Sequence, residues 1–212
     1  MTSSNTNLGI NLLISLLAKV FESQGKINEE AVDAFVDSIS RDQTEFVYQA
    51  IRQMNPGGME EVEQQDIQKP ASESIRTVMT LAQDRDIVAR QFTNGCADVI
   101  GNGAKWLVEG KDKLGTWLLA IVWAQIRLMA DAPDTLIVRK CGLEIGGKSQ
   151  MLAQKAVDSG SQSPDEFWKS VSELDFWLRS DANRRNPGAS ADLVTASVFL
   201  GLLEGTIAAP FS

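Results

Sequence analysis

The residues of this chain best suited to chemistry lie near its C-terminus, in residues 186–193, whose sequence is NPGASADL. A turn containing glycine there delivers a serine and an aspartate to the first turn of a predicted helix. The unpaired N–H groups and partial positive charge of a helix N-terminus can bind phosphate or a metal–phosphate complex. Arg184 and Arg185, directly upstream, would strengthen such a site. The structural alternative is a helix cap, with Ser190 capping and Asp192 complementing the helix dipole.

Two further polar segments flank predicted helices, where helical proteins commonly build ligand sites. Asn5 and Asn7 precede the first helix and either cap it or donate to a polar ligand. Gly57 and Gly58 follow another helix in the sequence NPGG. They either form a turn or allow the backbone to approach a ligand closely.

A mixed run of acidic and basic residues occupies residues 84–91. Asp86 and Arg90 are four residues apart, which is the spacing of a surface salt bridge on a helix. The functional alternative uses Asp84 as a metal ligand or as a carboxylate beside a sugar. Arg85 and Arg90 would then bind phosphate, because the planar guanidinium matches phosphate oxygens.

Residues 131–135, with the sequence DAPDT, end one predicted helix and begin another. Asp134 is either the cap of the second helix or a ligand of magnesium or ribose. Arg139 follows about one turn later and is a candidate phosphate ligand. The sequence therefore leaves both a structural role and a ligand-binding role open for these residues.

Composition limits the classes of function. The chain has 212 residues, 43% of them apolar, a net charge of -8 and a pI near 4.7. An acidic chain without a basic block argues against nucleic acid as a partner. The longest uncharged apolar run, residues 117–124, is too short to span a bilayer, so no membrane association is expected.

The absence of histidine from the sequence excludes Ser-His-Asp and Cys-His catalysis within this chain. Any metal should then be a hard cation held by carboxylates and phosphate oxygens, most simply Mg²⁺. Cys96 and Cys141 lack a CxxC spacing and are typical of reduced thiols in a cytosolic protein. The N-terminus lacks the basic region of a signal peptide, so we expect a cytoplasmic protein.

Nearly every segment repeats its apolar residues with helical spacing, and no strand pattern alternates convincingly. Gly25 is predicted to end one helix and Asn28 to begin the next. Ser163, followed by proline and glutamate, is predicted to begin another. One helix is predicted from Ser72 to Phe92, and the last from Ser190 to about residue 204. Residues 59–70 are predicted to form a long loop.

Residues 106–128 are apolar on most faces, which is typical of a central, buried helix. The tryptophans in this segment are therefore predicted to lie in the core rather than to form a base-stacking platform. The sequence predicts an all-α fold: a single-domain multi-helix bundle over residues 1–212 with a central buried helix.

Five segments, taken in order, resemble the triphosphoribosyl-dephospho-CoA synthase family, with most similarity to a divergent branch of archaea and some bacteria. They are NTNLGI, NPGG with EQQD, DRDIVARQF, DAPDT with VRKCGLE, and NPGASADL. The resemblance spans residues 5–203 and implies an all-helical transferase of decarboxylase systems. It implies that ATP and 3'-dephospho-CoA give 2'-(5''-triphosphoribosyl)-3'-dephospho-CoA and adenine. ATP is then a substrate, and a CoA-type small molecule is the second partner.

Displacing adenine from ribose requires a stabilised oxocarbenium-like centre and a neutralised triphosphate. The candidate catalytic carboxylates, which are also the candidate Mg²⁺ ligands, are Asp84, Asp134 and Asp192. The candidate nucleotide-binding residues are Asn5, Asn7, Gly57, Gly58, Arg85, Arg90, Arg139, Asn186, Gly188 and Ser190. The place of NPGASADL as the last of five ordered segments favours a ligand site over a simple cap.

Three departures from the family pattern accompany this resemblance. The chain begins just after the family's N-terminal helical section, Leu8 stands where a lysine usually precedes Gly9, and Cys141 stands where glycine is common. The missing section would expose apolar surface on the first helices, so we expect a homo-oligomer or a partner subunit to cover it. Two alternatives remain: a non-catalytic or partner-dependent nucleotide-binding subunit, and a related ribosyl transfer in one-carbon (pteridine) cofactor synthesis.

Overall fold

A computed structural model describes residues 7–54 and 73–208, and within these ranges every regular element is helical. The elements are α1 (Leu8–Gln24), α2 (Glu29–Ser38), α3 (Arg41–Met54), α4 (Ile75–Ala82), α5 (Ile87–Gln91), a π-helix (Asp98–Gly103), α6 (Ala104–Leu114), α7 (Trp117–Asp131), α8 (Thr135–Cys141), α9 (Leu143–Gly160), α10 (Pro164–Arg179) and α11 (Gly188–Leu203). The predicted all-α class is confirmed. The chain divides into two compact units, Met1–Ala97 and Asp98–Ser212, and its assignment to a single domain stays a prediction.

The first unit contains α1 to α5, and local caps set the turn between α1 and α2. Gly25 has a φ of 68° and donates its N–H to the carbonyl of Phe21, which ends α1. Asn28 Oδ1 accepts the N–H of Ala31 at 2.8 Å, which begins α2. Both predicted caps are confirmed, because each depends only on residues within one helical turn.

The predicted continuous helix over residues 72–92 is wrong. Helix α4 ends at Ala82, and α5 begins only at Ile87. Between them, Asp86 takes an extended conformation, and its Oδ1 accepts the N–H of Val88 at 2.9 Å. The Asp86 side chain thus accepts an N–H that would bond to a backbone carbonyl in a continuous helix. Apolar spacing alone does not indicate this break.

The second unit is built around α7, which packs against α6, α9 and α11. Trp123, at the centre of α7, is 2% exposed and Trp106 is 4% exposed, so the predicted central helix and the core position of these two tryptophans are confirmed. Trp117, also predicted to lie in the core, is only half-buried. The apolar segment 106–128 nevertheless forms two helices. Gly115, with a φ of 87°, ends α6, and Thr116 begins α7 by accepting the N–H of Leu119 at 3.3 Å.

No helix within residues 7–54 and 73–208 combines the length and apolar character needed to cross a membrane.

Candidate functional site

The N-terminal ends of α8 and α11 meet at the side chain of Asp134. Its Oδ1 accepts the N–H groups of Leu136 at 2.9 Å and Ile137 at 3.1 Å, which caps α8. Its Oδ2 accepts both the N–H and the hydroxyl of Ser190, each at 2.7 Å. Asp134 is 4% exposed and Ser190 is 3% exposed. The segments DAPDT and NPGASADL, 56 residues apart at these two positions, are therefore joined by one buried carboxylate.

Burial raises the pKa of the Asp134 carboxyl above its ordinary value. The hydrogen bonds from Ser190, Ile137 and Leu136 act in the opposite direction, because they stabilise the charged form. Three of the four donors are backbone amides in the first turns of two helices, where the helix dipoles also favour negative charge. These donors replace part of the solvation that the carboxylate loses on burial, and the net effect is still a raised pKa.

The turn that leads into α11 is set by Pro187. This residue has φ -79° and ψ 59°, and the N–H of Gly188 donates to the carbonyl of Asn186 at 2.9 Å. These are the features of an inverse γ-turn. A Cβ on Gly188 would lie 2.7 Å from Leu136 Cδ2, so glycine allows α8 and α11 to approach closely.

The predicted start of the last helix is wrong by two residues. Helix α11 begins at Gly188 and not at Ser190, and its N-cap residue Pro187 makes no side-chain cap hydrogen bond. Ser190 lies inside the first turn, where its hydroxyl donates to Asp134 instead of accepting a backbone N–H. The cap interpretation of Ser190 is thus replaced by a contact between two helices.

Arg184 and Arg185 contact α8 and α10. Arg184 Nη2 donates to the carbonyl of Lys140 at 3.4 Å, at the C-terminal end of α8. The Arg185 guanidinium stacks on Trp177, with Cζ 4.5 Å from the ring centroid, and Nη1 donates to the Trp177 carbonyl at 3.1 Å. Lys148 Nζ lies 5.4 Å from the same ring. Sequence reasoning missed Lys148 and Trp177, because no local spacing connects a residue on α9 with one on α10.

We call the basic residues of this region the cationic surface; they are Arg139, Lys140, Lys148, Arg184 and Arg185. The four other than Arg185 are exposed, and Arg185 lies 3.6 Å from the carboxylate of Asp181. Asp181 is an acidic neighbour of this group, and the exposed cations would attract anions. Helix α8 has seven residues, so its C-terminal end, where Lys140 lies, is about 10 Å along the helix from its N-terminal end at Asp134.

The other predicted residues of the second unit lie on α11, in the turn before it and in the last turn of α8. Asp192 is half-buried on α11, two residues after Ser190, and Asn186 is exposed in the preceding turn. Arg139 is exposed in the last turn of α8. The structure therefore brings Asp134 of DAPDT into contact with Ser190 of NPGASADL, whereas Arg139 of VRKCGLE lies toward the other end of α8.

The predicted residues of the first unit occupy separate elements. Asp84 and Arg85 are exposed in the turn after α4, and Arg90 is half-buried on α5. Asn7 precedes α1, and its side chain makes no cap hydrogen bond there. The predicted binding residues Asn5, Gly57 and Gly58, and the predicted loop over residues 59–70, lie outside the residues that the structure describes.

No three His, Cys, Asp or Glu side chains within residues 7–54 and 73–208 are grouped so that they could hold a metal ion. Magnesium commonly uses one or two carboxylates together with substrate phosphates and water. Two grooves of the second unit, of 690 and 430 Å³, are lined mainly by α9 and by the π-helix, α6 and α11 respectively. Neither groove is lined by a predicted site residue.

Comparisons with known proteins relate this chain to a protein family and to a solved structure. Residues 1–210 match the family model CitG, described as ATP:dephospho-CoA triphosphoribosyl transferase. The chain is also similar to a crystal structure from Archaeoglobus fulgidus that is provisionally named a triphosphoribosyl-dephospho-CoA synthase. The two are 28% identical, the match covers 93% of this chain and 82% of that chain, and the TM-score is 0.69. Among curated proteins, none matches this chain.

Proposed function

The chain belongs to the ATP:dephospho-CoA triphosphoribosyl transferase family, and on that premise we propose that it transfers the triphosphoribosyl group of ATP to 3'-dephospho-CoA. The family predicted from the ordered segments is confirmed. In the proposed reaction, the bond between ribose C1' and adenine breaks, and a bond from that carbon to the 2'-hydroxyl oxygen of dephospho-CoA forms. The hydroxyl proton leaves with adenine. The family match over residues 1–210 is the observation that carries this proposal.

The cationic surface supports a substrate that carries several phosphates. Guanidinium groups bind phosphate oxygens through paired N–H groups, and Arg139 and Arg184 are exposed on this surface. Trp177 is in contact with two further cations and so keeps Lys148 and Arg185 near each other despite their equal charge. We assign this surface to the triphosphate of ATP or to the diphosphate of dephospho-CoA.

Asp192 is the carboxylate that we assign to the developing positive charge on ribose. A carboxylate close to an oxocarbenium-like centre stabilises it in the transition state more than in the ground state. Asp192 is half-buried beside the junction, on the helix that NPGASADL begins. Asp84, in the first unit, is the second candidate carboxylate.

The carboxylates present fit a magnesium ion that is held jointly by the protein and by substrate phosphates. Asp192 or Asp84 would hold the ion. When bound, the ion would neutralise the negative charge of the substrate phosphates.

Adenine release tests the proposal. Purified protein is incubated with ATP, Mg²⁺ and 3'-dephospho-CoA, and adenine and the triphosphoribosyl product are measured by chromatography and mass spectrometry. Adenine should appear only when dephospho-CoA is present. Asp192→Asn should lower kcat by about 100-fold or more, the usual effect of losing a transition-state contact. Asp112→Asn, the same change at an exposed position on α6, is the matched control and should leave kcat unchanged. Wild-type protein that binds neither ATP nor dephospho-CoA would disprove the proposal.

A further inference from the structure

We infer that Asp134 is a positioning residue, whose carboxylate holds the first turn of α11 against α8 and contacts neither substrate nor metal. This inference rests on the proposed function, because the residues that it positions are assigned to that reaction. It reassigns a residue that the sequence offered as a catalytic carboxylate and magnesium ligand.

The hydrogen bonds of Asp134 leave its oxygens no room for another partner. A carboxylate has about four lone-pair positions, and Asp134 accepts four donors at 2.7 to 3.1 Å. The residue is also 4% exposed. A metal ion or a ribose could reach either oxygen only by displacing an amide of α8 or a donor of Ser190, which would leave a buried donor without a partner.

The contact acts on the residues assigned to the reaction through the two helices. Helix α11 has no side-chain cap of its own at Pro187, so Asp134 supplies the acceptor from α8. Ser190 lies two residues before Asp192, and Asp134 lies five residues before Arg139. Rotation of α11 by a single residue position would turn Asp192 by about 100° about the helix axis. The Asp134–Ser190 contact therefore fixes the direction in which α11 presents Asp192.

Asp134→Asn separates the two functions of the carboxylate. The amide oxygen of Asn can still accept the α8 amides, so the cap of α8 persists. Its NH2 group would face the N–H of Ser190, and two donors cannot bond to each other. Ser190→Ala removes only the hydroxyl donor. Ser163→Ala is the matched control, because Ser163 Oγ caps α10 of the same unit by accepting the N–H of Glu166 at 3.2 Å, without any contact to α11.

Kinetics of these variants give the decisive comparison. We expect kcat to fall about 100-fold in Asp134→Asn, the usual effect of a misplaced catalytic group, and roughly tenfold in Ser190→Ala. The double variant should be no slower than Asp134→Asn alone, because both changes break one contact. The Mg²⁺ concentration for half-maximal rate should not change in any of them, and Ser163→Ala should keep the wild-type kcat.

Three results would overturn the inference. A higher Mg²⁺ requirement in Asp134→Asn alone would make Asp134 a metal ligand. Losses that multiply in the double variant would show that Asp134 acts independently of Ser190. A lowered melting temperature with unchanged kcat in the folded variant would show a purely structural contact.

Hydrogen exchange separates this inference from the proposed function. If the wild-type protein releases no adenine, the proposed function is wrong. Whether Asp134 holds the first turn of α11 is then decided by hydrogen exchange at the amides of Ser190 and Ile137. Asp134→Asn should speed exchange at Ser190 while the amide of Ile137 stays slow. Equal exchange at Ser190 in both proteins would refute the positioning role.

Discussion

Gly110→Ala should destabilise the second unit, although alanine is the better helix former. Gly110 lies on α6 and faces α7. A Cβ there would lie 2.8 Å from Ala120 Cα and 2.8 Å from Trp123 Cβ. Ala120 Cα is a backbone atom of the central helix and cannot rotate away, so the two helices must separate. Gly147, on α9, is the matched control, because a Cβ there would meet no atom within 4 Å.

The size of the effect follows from two opposing contributions. Replacing a glycine inside a helix by alanine gains about 1 kcal/mol at either position. At Gly110 the added methyl group overfills the contact between α6 and α7, which costs about 2–3 kcal/mol. The free energy of unfolding should therefore fall by about 1–2 kcal/mol in Gly110→Ala and rise by about 0.5–1 kcal/mol in Gly147→Ala.

Urea unfolding of both variants, followed by circular dichroism, measures these changes. The midpoints should move in opposite directions while the slopes stay equal to the wild-type slope. Equal stabilisation in both variants would refute the reasoning, because it would mean that α6 and α7 do not make the close contact at Gly110.

Two further predictions concern pH and phosphate binding. Burial raises the pKa of Asp134, so the folded chain holds the carboxyl proton more readily than the unfolded chain does. The contribution of Asp134 to the free energy of unfolding therefore falls as the pH rises from the ordinary pKa of the carboxyl through its raised pKa. Urea titrations from about pH 4 to about pH 8 should show this fall in the wild type and less of it in Asp134→Asn; equal pH dependence would contradict the assignment. Lys148→Ala should weaken binding of inorganic triphosphate roughly fivefold, because an exposed charge contact contributes about 1 kcal/mol. Lys169→Ala, on α10, should leave this binding unchanged. Calorimetry at low salt measures both affinities, and equal affinities in the two variants would exclude the cationic surface as a phosphate-binding site.

The features that could be predicted from the sequence depend on residues close together in the chain. The caps at Gly25, Asn28 and Ser163 are set within one helical turn, and the structure confirms each of them. The buried central helix follows from its apolar composition alone. The cap of α8 at Asp134, one of the two alternatives for that residue, is local as well.

Some features that sequence reasoning missed are contacts between distant segments, and one is a local side-chain hydrogen bond. Nothing in the spacing of residues 186–193 indicates that Ser190 donates to a carboxylate 56 positions earlier. The start of α11 was misplaced for the same reason, because a serine before an apolar run is typical of a cap. The apolar spacing continues past Asp86 and so predicts one helix. The break between α4 and α5 is set by the hydrogen bond from the N–H of Val88 to the Asp86 side chain, which apolar periodicity does not report.

The shared carboxylate of Asp134 also constrains which substitutions this chain can accept. A buried donor left without its acceptor destabilises the fold, so neither Asp134 nor Ser190 can change alone without a cost. Evolution can replace the pair by two matched apolar residues or by another donor and acceptor, but the two positions must change together. The junction is therefore a property of the pair of residues and not of either residue alone.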